Sequence, residues 1–378
     1  MWRSSFRRPI VCTLGYNEMS WFSRAFLSIL VCLAACEPAS PTSALAPESW
    51  IDDIAEDAVQ RDTSFCDRIW TLEHDVELDD GATLHVVERF SARAAVRFPR
   101  RAVVMLPGTL VTGGMYDLQT DPNARLNALT EFAEAGFFAY AVTYEGYPGS
   151  SLPEDGGDVT TDRSLQQMGE IVERVRHARG VPRVDLFGTS FGASLAVGLA
   201  GTNGPIPPWH VGRVVVQAMV YESVTPLFAS VFFSPEVLAL FESAPNGYVE
   251  TDPSVYGLIL AGADPQAVEA GLASFPDVYA TGPTLEGFDL PVVDASASVR
   301  PVLQLWGDAD PITPWEDVQA FAADYGGTHE LRVFPGAGHA PYIGDADTVD
   351  AVYGEVFSFL DYGFSLYLTC EPGVESGG

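Results

Sequence analysis

The chain has 378 residues, with 51 Asp and Glu against 20 basic residues, all of them Arg, and a formal net charge of −31. So acidic a chain is not expected to bind nucleic acid or an anionic membrane surface, and the absence of Lys excludes Schiff-base chemistry and a P-loop lysine. Because 47% of the residues are hydrophobic and only 19% charged, disorder is excluded, and the acidic residues are expected to cover one large folded domain.

The N-terminus has the pattern of an export signal. An apolar run at 25–35 follows Arg24 and ends in LAAC at Cys36. The run is too short to cross a bilayer as a helix but fits the core of a signal peptide. Its end resembles the bacterial lipoprotein signal, which is cleaved before a Cys that then carries lipid. We predict a signal peptide over 1–35, with Met19 as an alternative start, and a lipid anchor at Cys36. An ordinary periplasmic or secreted protein is the alternative.

Besides Cys36, the exported chain keeps Cys66 near its start and Cys370 near its end. An oxidising compartment and an even number of cysteines predict a disulfide between them, which would close a very long loop. Two separate free thiols are the alternative. Residues 36–49, rich in Pro, Ala and Ser, are predicted to be a linker, and 371–378 a flexible tail.

Beyond the linker, apolar runs alternate with helical patterns, which is typical of an α/β fold with a mostly parallel sheet and helices on both faces. The first two runs alternate apolar and polar residues on either side of a turn at 79–81 and predict a β-hairpin. Between 222 and 298 the alternation breaks. In chain order the patterns predict strands at 71–77, 83–90, 102–106, 137–143, 183–187, 213–219, 301–306 and 330–334, and helices at 123–135, 162–179, 191–200, 265–274 and 349–360.

The sharpest local signal is GTSFG at 188–192, between a predicted strand and a predicted helix of small residues. This is the context of a G-x-S-x-G nucleophile elbow, in which Gly188 and Gly192 let the strand and the helix approach across a strained turn. The N-terminus of the helix favours negative charge that develops near Ser190. Ser190 is therefore predicted to be a nucleophile. An inert serine in a strand–helix turn is the alternative.

A serine nucleophile needs a base, and the base needs an acid that orients it. Two apolar runs near the C-terminus are each followed by a polar motif. The first motif, GDADPITP at 307–314, contains Asp308 and Asp310, and the second, GAGHAP at 336–341, contains His339. The other five histidines lie on the hairpin, a charged helix end, a Pro-rich loop or ahead of a strand, and they are predicted to be structural or solvated.

Together with the elbow, these motifs resemble the α/β-hydrolase superfamily over roughly residues 71–360, in the order Ser, acid, His of that fold. The resemblance implies an α/β-hydrolase fold with Ser190, Asp310 and His339 as the catalytic triad. The family pattern Gly-x-x-Asp-x-x-x-Pro favours Asp310 as the acid. The competing Asp308 is predicted to cap its own turn.

The resemblance also implies an oxyanion hole made by the backbone N–H of Phe191 and an N–H from the loop after the third predicted strand. Many relatives have His-Gly in that loop, whereas this chain has Pro107 and Gly108. Because the donor is a backbone amide, Thr109 is predicted to supply it, with Leu110 as the alternative. The sequence Glu-Gly-Tyr-Pro-Gly-Ser-Ser at 145–151 resembles a family turn and is predicted to border the site as a structural loop.

In this family a cap often follows the strand after the elbow. The segment 222–298 is therefore predicted to be a cap or lid inserted into a core of 50–221 and 299–370. Its apolar residues are candidates for lining an acyl pocket, although packing the cap onto the core explains them equally well. The carboxylates of the cap are candidates for recognising a substrate amino terminus, or are solvated charges; they are Glu222, Glu236, Glu242 and Glu250.

The leading interpretation is an exported, lipid-anchored serine hydrolase that cleaves a carboxylic ester through an acyl-enzyme, as a carboxylesterase or lipase does. No cofactor or metal is implied, since no His pair stands at ligand spacing and the cysteines are too few. One alternative is an aminopeptidase of the proline-iminopeptidase type, acting on a small peptide. The other is a surface lipoprotein that keeps the fold but has no catalytic activity.

Overall fold

The structure is a computed structural model that describes residues 68–98, 100–287, 289–361 and 366–367. The predicted signal peptide, linker and tail lie outside these residues, and so do the predicted lipid anchor at Cys36 and the predicted pair Cys66 and Cys370. Within the described ranges, no helix combines the length and the apolar character that crossing a bilayer requires.

Eight strands form one sheet. They are β1 (Ile69–Glu77), β2 (Thr83–Ser91), β3 (Ala102–Leu106), β4 (Phe138–Val142), β5 (Val184–Thr189), β6 (Val211–Gln217), β7 (Val302–Gly307) and β8 (His329–Phe334). Across the sheet the order is β1-β2-β4-β3-β5-β6-β7-β8. The hairpin strand β2 pairs antiparallel with both β1 and β4, and all the other pairs are parallel. The predicted hairpin and mostly parallel sheet are confirmed.

The α-helices of the described residues alternate with these strands, apart from a cluster between β6 and β7. They are α1 (Ala92–Val96), α2 (Ala128–Glu134), α3 (Thr161–Arg179), α4 (Phe191–Leu199), α5 (Pro226–Phe232), α6 (Pro235–Glu242), α7 (Pro253–Ile259), α8 (Pro265–Gly271), α9 (Gly282–Glu286), α10 (Trp315–Asp324) and α11 (Ala346–Leu360). Two short antiparallel pairs lie outside this sheet. Arg97–Phe98 pairs with Leu366–Tyr367, and Tyr248–Glu250 pairs with Val278–Ala280.

Two hydrophobic cores lie on the two faces of the sheet, because successive residues of each buried strand point to opposite sides. In β3, Val104 belongs to the core that includes α3 and α4, whereas Val103 belongs to the core that includes α2 and α11. This three-layer arrangement leaves the strand ends free to carry loops.

The predicted helix at 123–135 is wrong in its first half. Pro122–Ala124 forms a single 3-10 turn, and Arg125 then adopts a left-handed conformation with φ 55°. A left-handed residue cannot continue a right-handed helix. The α-helix instead begins at Ala128, where the side chain of Asn127 accepts a hydrogen bond from the Thr130 N–H as an N-cap.

A charged group is completely buried where the hairpin meets α3. The Glu88 carboxylate is 0% exposed and accepts hydrogen bonds from Arg179 and from the Tyr140 hydroxyl at 2.7 Å, with His74 Nε2 3.0 Å away. Burial alone would raise the pKa of Glu88. The hydrogen bond to His74 and the charge of Arg179 outweigh it, so the pKa lies below its ordinary value.

Replacing Glu88 by Gln should lower the free energy of unfolding by about 3–5 kcal/mol at neutral pH, because it leaves the buried Arg179 without its carboxylate. Glu73→Gln on exposed β1 is the matched control and should change it by less than about 0.5 kcal/mol. Because the folded-state pKa of Glu88 is depressed, its contribution is present above the unfolded pKa and lost as the pH falls through the folded pKa. The measurement is urea unfolding of the natural protein and of Glu88→Gln at several pH values. A difference in the free energy of unfolding between these two proteins that stays the same at every pH would contradict the prediction.

Candidate active site

The loops that carry the predicted site residues leave the carboxyl ends of four parallel strands. Gly108 and Thr109 follow β3, Ser190 follows β5, Asp310 follows β7 and His339 follows β8. Carboxyl ends of parallel strands meet at one edge of a sheet, and ligands of α/β proteins bind there. The structure therefore brings the predicted residues to one edge.

Ser190 stands in a strained turn between β5 and α4. Its φ is 53° and its ψ is −118°, and for a residue other than Gly this conformation costs about 1–3 kcal/mol. The N–H of Ser190 donates to the carbonyl of Gln217 at 2.9 Å, which fixes the turn against the end of β6.

Gly188 and Gly192 are required by close backbone contacts, as the elbow motif predicts. A Cβ on Gly188 would lie 2.3 Å from the carbonyl oxygen of Gly192. A Cβ on Gly192 would lie 1.9 Å from the carbonyl oxygen of Leu106, at the end of β3. The second contact presses the elbow against the strand that carries the predicted oxyanion loop.

Asp310, and not Asp308, is the partner of His339. Both Asp310 oxygens lie 3.0 Å from His339 Nδ1, and both side chains are almost completely buried. Asp310 Oδ1 also accepts the N–H groups of Ile312 at 2.8 Å and Thr313 at 3.2 Å, which hold the carboxylate in place. Such an acid fixes the orientation of the imidazole and stabilises its protonated form.

Asp308 has a different role from the predicted one. Its Oδ1 accepts the N–H of Gly336 at 2.6 Å, across to the loop that carries His339, and no hydrogen bond to its own turn is found among the described residues. The expected turn cap is therefore a brace between two loops. Asp308 remains exposed, in contrast to Asp310.

The other five histidines are held by polar neighbours outside the cleft described below. His85 lies 3.5 Å from Asp75 and His329 lies 2.8 Å from Gln304, while His74, His177 and His210 contact Glu or Arg side chains. None of the five lines the cleft described below. Their predicted structural or solvated character agrees with these contacts.

Two backbone N–H groups border Ser190 without an acceptor in the described part of the chain. Phe191 is the first residue of α4, so its N–H has no partner within the helix. Thr109 lies in the loop after β3, and no hydrogen bond from its N–H to another described residue is found. The N–H of Leu110, the alternative donor, already donates to the Tyr147 hydroxyl at 3.2 Å. The geometry therefore favours Thr109 over Leu110.

A cleft joins these groups, with about 970 Å³ of space free of protein atoms, including solvent at its mouth. Ser190, His339 and Thr109 line it, and no hydrogen bond links Ser190 to His339 in this structure. Most of the lining is aliphatic or aromatic, and no Asp, Glu or Arg of the described residues contributes to it. An uncharged lining of this kind suits an apolar ligand.

The segment 222–298 supplies one wall of the cleft. Of its apolar residues, Phe228, Phe232 and Phe233 line the cleft, whereas Leu227 and Leu240 are more than half exposed. The candidate carboxylates for an amino terminus are exposed and do not line the cleft; they are Glu222, Glu236, Glu242 and Glu250.

This segment is fastened to the rest of the protein at its start and beside the histidine. The Asp317 carboxylate on α10 accepts the N–H groups of Tyr221 at 2.8 Å, Glu222 at 2.6 Å and Ser223 at 2.7 Å. Next to His339, a Cβ on Gly338 would lie 1.7 Å from the carbonyl oxygen of Ala261. The glycine before the histidine is thus required by the segment packed over it.

Three tyrosines beside the site were not found from the sequence. The hydroxyl of Tyr116 donates to the Leu106 carbonyl at 2.8 Å, and that of Tyr144 donates to the Pro107 carbonyl at 2.8 Å. Tyr147 accepts from Leu110 as described above. Tyr147 belongs to the loop at 145–151, which was predicted to border the site, and Tyr144 directly precedes that loop. No local pattern indicates which carbonyl or amide a buried hydroxyl reaches.

The model of the alpha/beta hydrolase family matches residues 103–352, a range that contains every residue of the site. No curated protein sequence matches the chain. Among solved structures, a hydrolase from Pseudomonas aeruginosa is similar at 22% identity and a TM-score of 0.55, with 76% of this chain and 98% of the other covered.

Two further structures of similar fold carry more specific names. A monoacylglycerol lipase from Paleococcus ferrophilus has 18% identity and a TM-score of 0.52, covering 78% of this chain and 98% of its own. An esterase from Exiguobacterium antarcticum has 17% identity and a TM-score of 0.51, covering 76% of this chain and 99% of its own. At these identities the similarity establishes the fold.

Proposed function

The chain belongs to the alpha/beta hydrolase family, and we propose that it cleaves carboxylic esters through an acyl-enzyme on Ser190. The observation that carries this proposal is a strained serine that shares an uncharged cleft with a buried His–Asp pair. Strain of this kind persists where the surrounding structure enforces it, and it clusters at reactive sites.

In the proposed reaction, Ser190 Oγ bonds to the ester carbonyl carbon while His339 Nε2 takes the serine proton. The Ser190–His339 hydrogen bond forms as substrate binds, as is common for catalytic contacts that are long in a free enzyme. The carbonyl oxygen becomes an oxyanion that accepts the N–H groups of Phe191 and Thr109. Asp310 stabilises the imidazolium throughout.

The tetrahedral adduct then collapses, the bond to the alcohol oxygen breaks, and His339 gives its proton to the leaving alkoxide. A water molecule attacks the acyl-enzyme, transferring its proton to His339, and the second adduct releases the carboxylic acid and regenerates Ser190. Each step uses the same base and the same two amide donors.

The lining of the cleft favours an ester over a peptide with a free amino terminus. A bound α-ammonium group needs a carboxylate or carbonyl partner, since an unpaired charge in an apolar site is costly. The four candidate carboxylates of 222–298 are exposed and lie outside the cleft, so they are not placed to pair with such a group; they are Glu222, Glu236, Glu242 and Glu250. The names of two similar structures, an esterase and a monoacylglycerol lipase, agree with this choice.

We expect the protein to hydrolyse p-nitrophenyl esters, measured by p-nitrophenol release across a series from acetate to dodecanoate. Aminoacyl-p-nitroanilides, including the prolyl compound, should give no p-nitroaniline above background, because the cleft offers no anionic side chain. Hydrolysis of the prolyl anilide without ester hydrolysis would establish the aminopeptidase alternative. A folded protein that hydrolyses neither class would support the non-catalytic alternative.

A further inference from the structure

The loop that carries the proposed oxyanion donor is held on both sides by tyrosine hydroxyls. Before the donor, Tyr144 donates to the carbonyl of Pro107 at 2.8 Å. After it, the N–H of Leu110 donates to the hydroxyl of Tyr147 at 3.2 Å. The two bonds enclose Gly108 and Thr109. The two hydroxyls therefore brace the loop from both ends.

The loop needs such a brace because Leu110 is held in an unfavourable conformation. Its φ is 72°, in the left-handed region, which costs a residue with a side chain about 1–2 kcal/mol. The N–H that bonds to Tyr147 belongs to this same residue. Without that hydrogen bond, the unfavourable φ of Leu110 would favour a change in the conformation of the loop. The neighbouring N–H of Thr109 would then turn away from the oxyanion position.

The tyrosines are themselves rigidly placed. Tyr144 packs edge-on against Tyr147, with ring centroids 6.3 Å apart, and against Phe191, at 5.9 Å. Tyr147 stacks on Tyr279 at 6.4 Å. One aromatic cluster therefore packs against Phe191 and, through its hydroxyls, bonds to Pro107 and Leu110 on either side of Gly108 and Thr109.

Both hydroxyls remain protonated across the working pH range. Burial raises the pKa of Tyr147 to about 12 and raises that of Tyr144 well above its ordinary value. The two tyrosines thus act as neutral hydrogen-bonding groups at fixed positions, and no charge on either ring is involved.

We propose that Tyr147, together with Tyr144, is a positioning residue that holds the Thr109 N–H where the oxyanion forms. The proposal rests on the ester hydrolysis proposed above. Because the oxyanion forms only after substrate has bound, in the tetrahedral adduct and the transition states on either side of it, weaker positioning should lower kcat and leave KM nearly unchanged.

The test is Tyr147→Phe, which removes one oxygen atom and keeps the ring stack. We expect kcat for p-nitrophenyl butyrate to fall about 10- to 100-fold with KM within about twofold, a smaller loss than deleting an oxyanion donor outright. Tyr144→Phe should act in the same direction. The matched control is Tyr325→Phe, whose hydroxyl donates to the Arg300 carbonyl at 2.7 Å outside the cleft and whose loss should leave kcat unchanged.

An alkyl trifluoromethyl ketone gives a second readout. Ser190 Oγ adds to its carbonyl carbon, the proton passes to His339, and the carbonyl oxygen becomes a stable oxyanion. Its affinity should fall in Tyr147→Phe by the same factor as kcat, while inhibition by 1-butanol, which has no carbonyl or anionic oxygen to accept the two N–H groups, should not change.

The outcomes separate the two proposals. If the natural protein hydrolyses esters and Tyr147→Phe and Tyr144→Phe keep its kcat and ketone affinity, the positioning role is wrong and the ester hydrolase stands. An equal loss of kcat in Tyr325→Phe would also contradict the positioning role, because the effect would then be one of general stability. If the natural protein hydrolyses no ester, both proposals are overturned.

Discussion

Ser190→Ala should lower kcat for ester hydrolysis by about 10⁴- to 10⁶-fold and abolish covalent labelling by a fluorophosphonate probe. The substitution removes the nucleophilic oxygen. The elbow should stay intact, because Ala and Ser both carry a Cβ and a φ of 53° therefore costs them about the same conformational energy. The residual rate should come from binding and from the two amide donors alone.

Ser194→Ala is the matched control for this experiment. Ser194 lies one turn further along α4 and lines the same cleft, so it shares the helix and the apolar surroundings of Ser190. Labelling should persist in Ser194→Ala and map to a peptide containing Ser190. Labelling that survives in Ser190→Ala, or that never occurs in the folded natural protein, would contradict the proposed mechanism.

Asp310→Asn should lower kcat by about 10⁴-fold, the loss expected when the acid that orients a catalytic histidine is made neutral. An amide can donate to His339 Nδ1 and so stabilise the wrong tautomer. Since both carboxylate oxygens lie 3.0 Å from Nδ1 and the side chain is 0% exposed, solvent cannot replace the lost interaction. Steady-state kinetics on a p-nitrophenyl ester would measure the loss.

Asp308→Asn is the comparison that identifies the acid. Asn keeps an oxygen that can accept the N–H of Gly336, so the brace between the two loops survives, and kcat should fall less than tenfold. A larger loss in Asp308→Asn than in Asp310→Asn would show that the acid is assigned to the wrong residue.

Much of the central fold was predictable because its local patterns and its tertiary structure agree. The strand at 102–106 was predicted at its observed bounds, since five apolar residues end at Pro107 and Gly108. The elbow was predictable for a related reason. A Cβ at position 188 or 192 would clash with backbone atoms, so only Gly fits, and the two glycines can be recognised in the sequence.

The segment 222–298 was predicted poorly, although the sequence holds usable signals. Helices α5, α6 and α8 each begin with Pro, preceded by a capping residue: Thr225, Ser234 and Asp264. A capping residue followed by Pro is a helix start signal. Of these three, only α8 was predicted, within the helix expected at 265–274. Helices α5 and α6 are seven and eight residues long, so the apolar periodicity that identifies longer helices is too brief to detect in them.

The tyrosine brace was beyond prediction for a different reason. Tyr144 and Tyr147 lie more than thirty residues from the loop they hold, and each bond depends on the position of a single hydroxyl. A hydrogen bond between residues so far apart in the chain cannot be detected from local sequence patterns.

The glycine contacts between 222–298 and the rest of the chain have a consequence for unfolding. A Cβ on Gly156 would lie 2.2 Å from the Gly247 carbonyl oxygen, and one on Gly282 would lie 2.3 Å from that of Val159. With the contact at Gly338, backbone meets backbone at three separated places. Surfaces interlocked in this way lose their contacts together, so the covering segment and the sheet should melt in one cooperative transition. A destabilising substitution in 222–298, even one distant from the sheet, should then lower the free energy of unfolding of the whole enzyme.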